Sequence, residues 1–146
     1  MRRASIDIVA VPGLGSHALG SWKSLDSGDV WLLDYLPENL PYVRLIVYGY
    51  DATLQDSTSK QSIEHTGVDL LERIAAFRAH DGTGCRPIVF IGHSLGGLLI
   101  KEALVHVAKS DRGSEKLDLS RSCYGMLFFG VPNHASPPDC IPATRS

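Results

Sequence analysis

Four short apolar runs occur along the chain, and each ends near glycine or proline. They lie at Ile6–Val11 and at residues 43–48, 87–91 and 126–131, and they are rich in Val, Ile, Leu or Phe. Largely uninterrupted apolar runs of this length are typical of strands that are covered on both faces, as in parallel sheets. The pattern therefore predicts four buried strands.

Between these runs, the apolar positions follow a helical period. Residues 62–80 place apolar side chains near a spacing of 3.6, with charged residues between them. This helix would be capped by Ser59 or Ser62 and would end before Gly82 and Gly84. The pattern predicts a long helix that lies against the sheet.

Two further helices are predicted. One spans residues 95–109 with one apolar face, and a shorter one spans residues 30–36 and ends at Pro37. Residues 51–60 and 110–122 are polar and are predicted to be connections. Strands that alternate with helices predict βαβ units, a parallel sheet with right-handed crossovers, and helices on both faces.

Composition places the chain among ordinary globular proteins. It has 146 residues, of which 44% are hydrophobic and 21% charged, and this favours a single folded domain. A net charge of −2 gives no electrostatic support for a nucleic-acid partner. The six histidines show no zinc-ligand spacing, so we expect no bound metal.

The cysteines and the N-terminal sequence favour an intracellular protein. Cys85, Cys123 and Cys140 are odd in number and widely spaced, which argues against a disulfide framework and for reduced thiols. The first apolar run is too short for a signal peptide or a membrane span. We therefore expect a protein that is not secreted.

The composition changes at Ala135, after which the sequence is rich in proline and has no period. We predict one domain over residues 1–134 and a disordered tail over residues 135–146. No strand pattern follows residues 126–131. This strand is expected to form an exposed apolar edge, through which the chain would self-associate.

The strongest chemical motif follows the third apolar run. Residues 92–97 read Gly-His-Ser-Leu-Gly-Gly and lead into a predicted helix. A Gly-x-Ser-x-Gly sequence between a strand and a helix is the context of a nucleophile elbow. The elbow glycines Gly92 and Gly96 have no Cβ, so they fit where the sharp turn brings neighbouring segments too close for a side chain. This arrangement predicts Ser94 as a nucleophile whose hydroxyl projects above the sheet.

A second glycine-rich loop, Val-Pro-Gly-Leu-Gly at residues 11–15, follows the first strand. Its simplest interpretation is a turn, and the sequence matches neither Gly-x-Gly-x-x-Gly nor the Walker phosphate loop. In a serine hydrolase with this elbow, two backbone amides stabilise the oxyanion. The candidates are Leu95, which follows the nucleophile, and Leu14 in the first loop.

The sequence supplies few candidates for a catalytic base. The expected chain order is Ser, then Asp or Glu, then His, and only His106 and His134 follow Ser94. His106 lies within a helix and is predicted to be a surface or packing residue. His134 follows the last strand and is a candidate pocket residue or base, whereas His93 is expected to point elsewhere. Three aspartates are more simply interpreted as solvated: Asp51, Asp118 and Asp139.

Several motifs in order resemble one known family. They are Gly-Leu-Gly-Ser-His at 13–17 with Trp22, Trp-Leu-Leu-Asp-Tyr-Leu-Pro at 31–37, Tyr-Gly-Tyr-Asp at 48–51, the elbow with Lys-Glu-Ala-Leu at 101–104, and Phe-Phe-Gly-Val-Pro at 128–132. The chain resembles serine-esterase and lipase-like α/β-hydrolases over residues 5–134. It is most similar to the serine-active-site-containing proteins related to GPI inositol-deacylase.

This resemblance implies an α/β-hydrolase fold of three layers with a mainly parallel sheet, here incomplete at the C-terminal side. It implies hydrolysis of a small-molecule or lipid ester through Ser94, with Leu14 and Leu95 as oxyanion donors. It also implies a cytoplasmic location or peripheral association with mitochondrial or endoplasmic-reticulum membranes. Family members commonly have His where this chain has Pro12. The family's later strands, which bring the acid and the histidine, are expected to be missing through C-terminal truncation.

Three functional hypotheses follow from the sequence. The first is an active serine esterase or lipase. The second is an inactive remnant that keeps the fold and serves as a binding module. The third is an effector head, because similar domains precede NACHT, ankyrin or tetratricopeptide arrays in fungal proteins.

Overall fold

The computed structural model describes residues 3–13, 15, 17–50, 60–110 and 115–132. Within them, four strands form one parallel sheet in the order β2-β1-β3-β4. The strands are β1 (Ile6–Val11), β2 (Val43–Val47), β3 (Ile88–His93) and β4 (Cys123–Phe129). Because all four strands run in the same direction, their carboxyl ends meet at one edge of the sheet.

Five helices accompany the sheet in the described part of the chain. They are α1 (Trp31–Asp34), α2 (Leu36–Asn39), α3 (Lys60–His80), α4 (Leu95–Ala108) and α5 (Glu115–Ser122), and a 3₁₀ turn at Gly20–Trp22 precedes them. Helices α3, α4 and α5 cover one face of the sheet. The 3₁₀ turn and the short helices α1 and α2 cover the other face. The result is a three-layer α/β fold, as the sequence predicted.

The core surrounds the central strand β1. Its side chains alternate between two apolar clusters: Val9 packs with α3 and α4, and Ala10 packs with Trp22 and Leu32 on the opposite face. Val9 and Ala10 are both completely buried. Burial on both faces explains why this strand appears in the sequence as an apolar run that only Asp7 interrupts.

The predicted long helices are present, with one change in packing. Helix α3 begins at Lys60, two residues before the predicted start at residue 62. Helix α4 ends at Ala108, one residue before the predicted end at residue 109. Phe77, one of the apolar residues at helical spacing in 62–80, is nevertheless 46% exposed. The guanidinium carbon of Arg44 lies over its ring, 5.0 Å from the ring centroid. A cation over an aromatic face accounts for this partly exposed position.

Two predicted elements differ clearly from the structure in their bounds. The last strand begins at Cys123 instead of residue 126, because Gly125 continues the pairing with Val89 although it adds no apolar side chain. The single helix over residues 30–36 is two short helices. Pro37 lies in the first turn of α2, where a helix needs no amide donor.

The polar segment 110–122 was predicted to be a connection, but its second half is helix α5. Leu119 anchors this helix, since its side chain is 3% exposed and joins the cluster of α3 and α4. One apolar anchor in a polar segment gives too little periodicity for a helix prediction.

Strand β4 forms one edge of the described sheet. Its side chains are exposed to an unusual degree for apolar residues, with Tyr124 77% and Leu127 51% exposed. The expected apolar edge is therefore present among the described residues. The whole of the expected tail, residues 135–146, lies outside them.

Near the amino ends of the strands, Asp7 of β1 is completely buried. Arg44, its partner in strand register on β2, donates two hydrogen bonds to the carboxylate at 2.9 and 2.7 Å. Arg86 lies at 3.0 Å and Arg78 at 3.5 Å. This charge cluster joins β1, β2 and α3 to the segment before β3, far from the edge where the strands end.

Candidate active site

Ser94 lies at the junction of β3 and α4, at the carboxyl edge of the sheet. Its backbone has φ 50° and ψ −122°, and among the described residues it is the only non-glycine with positive φ. A side chain held in this region costs about 1–3 kcal/mol, and such strain is typical of functional sites. The surrounding structure therefore holds the half-buried serine in a conformation that it would not adopt by itself.

The glycines of the elbow meet backbone atoms of two neighbouring segments, the start of α4 and the end of β1 with the loop that follows it. A Cβ on Gly92 would lie 2.6 Å from the Cα of Gly97, and a Cβ on Gly96 would lie 2.5 Å from the carbonyl oxygen of Pro12 and closer still to that of Val11. Real Cβ atoms do not approach backbone this closely. The turn is thus compact enough to admit only glycine at these two positions.

The first loop comes directly against the nucleophile position. A Cβ on Gly13 would lie 3.2 Å from the Cβ of Ser94 and 3.0 Å from Nδ1 of His93. The Gly13 amide donates a hydrogen bond to Oγ of Ser21 over 2.9 Å. The loop after β1 therefore borders Ser94, as the interpretation of residues 11–15 requires. Leu14, the predicted second oxyanion donor, lies outside the described residues.

Two side chains hold this loop from either side. Tyr50, which follows β2, donates a hydrogen bond from its hydroxyl to the carbonyl oxygen of Pro12 over 2.8 Å. Burial raises the pKa of Tyr50 to about 12, so its hydroxyl remains a donor at neutral pH. On the other side, Oγ of Ser21 lies 3.2 Å from Nδ1 of His93. Trp22 packs edge-on against the His93 ring at 6.2 Å.

Leu95 is the first residue of α4. Amides in the first turn of a helix have no acceptor within that helix, and the positive end of the helix dipole lies beside them. The adjacent Gly97 amide already bonds to the Ser94 carbonyl over 3.1 Å. The first turn of α4, which begins at the predicted oxyanion donor Leu95, therefore offers backbone amide donors beside Ser94.

The histidines and aspartates considered from the sequence are dispersed. His106 lies in the last turn of α4, roughly 18 Å along the axis from Ser94, in a groove between α3 and α4. Nδ1 of His93 faces Ser21, and Asp118 is exposed. His134, Asp51 and Asp139 lie outside the described residues. In the part of the chain that is described, no histidine or carboxylate is hydrogen-bonded to the Ser94 hydroxyl.

A cavity of about 300 Å³ lies beside the first loop, between the end of β2 and α3. It is lined by Tyr48, Gly49, Tyr50, Thr66, Asp69 and Arg73.

The residues that the structure describes contain no cluster of three or more His, Cys, Asp or Glu side chains suited to a metal ion. Nor does this part of the chain contain a helix long and apolar enough to cross a bilayer.

Sequence reasoning missed Ser21 and Tyr50. Ser21 lies in the 3₁₀ turn, where no motif marks it, and it meets Gly13 and His93 only through the fold. Tyr50 had a weak signal, since it follows β2 at the edge where parallel strands place functional loops. Neither contact could be assigned without the arrangement of β1, β2 and β3.

A strained serine between a parallel strand and a helix, bordered by the loop of an adjacent strand, defines an α/β-hydrolase elbow. The chain belongs to the Alpha/beta hydrolase family, whose profile matches residues 8–136. This match covers β1 from Ile8 onward and all of β2, β3 and β4.

Curated relatives share part of their length with the chain. Protein SERAC1 of Homo sapiens and of Bos taurus is 28% identical over 150 residues, which covers 89% of this chain and 22% of the relative in each case. Protein SERAC1 of Danio rerio is 29% identical over 153 residues with the same coverage. The chain thus spans about a fifth of the length of these relatives.

A solved structure shares the fold. The Trichoderma reesei cutinase in complex with a C11Y4 phosphonate inhibitor superimposes with a TM-score of 0.63 at 17% sequence identity. The superposition covers 93% of this chain and 56% of the cutinase chain. At this identity the similarity shows the fold alone.

Proposed function

We propose that the chain is a serine-hydrolase-like domain that cleaves carboxylic esters through an acyl-enzyme on Ser94. The conformation of Ser94 carries this proposal, because φ 50° between β3 and α4 places a strained serine where a nucleophile is needed. Membership of the hydrolase family and the cutinase fold give it support. The neighbouring loop at Gly13 encloses the reacting position from a second side.

In the proposed reaction, Oγ of Ser94 attacks the ester carbonyl while a base accepts the hydroxyl proton. The amides of Leu95 and Leu14 stabilise the oxyanion of the tetrahedral intermediate, each by about 3 kcal/mol. Return of the proton to the alkoxide releases the alcohol, and water then hydrolyses the acyl-serine. His134 is the candidate base in this sequence.

Lipid esters are the substrate class that we propose. The support is the similarity to SERAC1 proteins together with the resemblance to GPI inositol-deacylase-like hydrolases. This resemblance also motivates an intracellular location, in the cytoplasm or at the surface of mitochondrial or endoplasmic-reticulum membranes. No metal or organic cofactor enters the proposed reaction.

A catalytically inactive binding or effector-head module is the second candidate. It rests on the sequence, in which only His106 and His134 follow Ser94 as candidate bases. A serine hydroxyl without a base is a poor nucleophile. The two candidates share the fold and differ in whether Ser94 turns over an ester.

The test is hydrolysis of p-nitrophenyl esters with short and long acyl chains by the 146-residue chain. Ser94→Ala should lower kcat/KM by at least about 1,000-fold, since removal of a serine nucleophile eliminates most catalysis. Ser120→Ala on α5 is the matched control and should leave turnover unchanged. Equal activity of Ser94→Ala would refute the acyl-enzyme. No turnover by a folded wild-type chain would favour the binding module.

A further inference from the structure

The backbone of Pro12 and Gly13 has little freedom beside the nucleophile. On one side the loop is in close contact with the start of α4, because a Cβ built on Gly96 would lie 2.5 Å from the carbonyl oxygen of Pro12. On the other side, Gly13 faces the Cβ of Ser94. A displacement of this segment by an ångström would therefore alter the wall of the reacting position.

A chain of hydrogen bonds connects this segment to the elbow itself. The Gly13 amide donates to Oγ of Ser21 over 2.9 Å, which leaves the Ser21 hydroxyl proton to be donated elsewhere. Nδ1 of His93 lies 3.2 Å from this oxygen and accepts that proton when it is unprotonated. His93 is the residue before Ser94, so the chain runs from the first loop to the nucleophile's neighbour.

The ring of His93 is held in place for this contact. Trp22, the residue after Ser21, is 2% exposed and packs edge-on against the ring with centroids 6.2 Å apart. Ser21 and Trp22 both belong to the 3₁₀ turn Gly20–Trp22. One short turn therefore supplies both the hydroxyl that holds Gly13 and the surface that orients His93.

We propose that Ser21 is a positioning residue for the reaction, which acts with His93 to hold Gly13 against Ser94. Gly13 forms part of the wall beside Ser94, so a shift of Gly13 changes the geometry in which an ester meets the nucleophile. Misplacement of a reacting geometry by about 1 Å can cost about 100-fold in rate. The catalytic part of this inference rests on the proposed function, whereas the hold on Gly13 does not.

The test compares Ser21→Ala with Ser21→Thr, which keeps the hydroxyl. Hydrogen exchange of the Gly13 amide, followed by NMR of glycine-labelled protein, reports the hold directly. Ser21→Ala should expose this amide to exchange at least about 10-fold faster, and Ser21→Thr should retain protection. In ester hydrolysis, Ser21→Ala should lower kcat about 10- to 100-fold with little change in KM, and Ser21→Thr should recover most of it.

A second pair of variants keeps the test decisive if Ser21→Ala folds poorly. His93→Asn retains an acceptor near the position of Nδ1, whereas His93→Phe retains a ring without an acceptor. Only His93→Phe should speed hydrogen exchange of the Gly13 amide and lower kcat. Unchanged Gly13 exchange in both Ser21→Ala and His93→Phe would refute the hold, and faster exchange with unchanged kcat would refute positioning. A wild-type chain without turnover would refute the proposed function, and amide exchange would still decide the hold.

Discussion

The amide of Ser94 donates a hydrogen bond to the carbonyl oxygen of Phe129 over 2.9 Å. This bond joins the elbow to the end of β4, the neighbouring strand. A positive φ at a non-glycine residue persists only where the surroundings over-determine it. The sheet, through β4 and the packed glycines around it, therefore holds Ser94 in its strained conformation.

Replacing Ser94 by glycine should stabilise the fold. Glycine adopts φ 50° without a Cβ penalty, so we expect Ser94→Gly to raise the free energy of unfolding by about 1 kcal/mol. Ser94→Ala is the control, since alanine keeps the Cβ and should give no gain. Urea unfolding followed by circular dichroism measures both. Equal stability of the glycine and alanine variants would show that Ser94 is not strained.

The close contact of Gly96 with the first loop predicts a severe effect of a single methyl group. In Gly96→Ala the new Cβ would overlap the carbonyl oxygens of Val11 and Pro12, and backbone would have to move. We expect a loss of about 2–3 kcal/mol of stability and of any reactivity of Ser94. Gly84→Ala is the matched control, because no atom lies within 4 Å of its new Cβ. Comparable unfolding midpoints for the two variants would contradict the packing described for the elbow.

Much of the sheet could be predicted from the sequence because burial on both faces leaves a direct trace. Strand β1 lies at Ile6–Val11 as predicted, and α4 begins at Leu95 as predicted. Helix α5 could not be predicted, since Leu119 is the one buried apolar side chain among those that are described on it. The start of β4 at Cys123 was missed because strand pairing continues through Gly125, which adds no apolar side chain.

The candidate site was predictable only where one local segment contains it. The turn around Ser94 is encoded in six consecutive residues, and the structure places that serine between a strand and a helix. Two contacts around the first loop join residues that are distant in sequence: Tyr50 bonds to Pro12 across 38 positions, and His93 contacts Ser21 across 72. Contacts of this kind depend on strand order, which no local pattern specifies.

The buried carboxylate of Asp7 should make a large contribution to stability. Asp7→Asn removes the charge that compensates three arginines, one of which, Arg78, is 1% exposed. Breaking a buried ion pair on one side typically costs about 3–5 kcal/mol. Asp118→Asn, at an exposed position, should change stability by less than about 0.5 kcal/mol. Chemical unfolding of both variants measures the difference, and a loss below about 1 kcal/mol for Asp7→Asn would contradict the charge cluster.

Apolar side chains along the edge strand β4 lead us to predict self-association. Exposed sheet edges pair with other chains, and Leu127 is 51% exposed on this edge. Leu127→Lys should shift the protein toward a monomer in sedimentation velocity. Leu25→Lys is the control, since Leu25 is fully exposed in a turn away from β4 and should not change the distribution. A monomeric wild-type chain at high concentration would contradict the prediction.

The central claim is that Ser94 is an activated nucleophile. The most direct measurement is covalent labelling of the 146-residue chain by a fluorophosphonate, with the modified residue located by mass spectrometry. We expect one adduct on Ser94, absent from Ser94→Ala and unchanged in Ser120→Ala. A chain that is folded by circular dichroism but forms no adduct, or forms it on another residue, would contradict the claim.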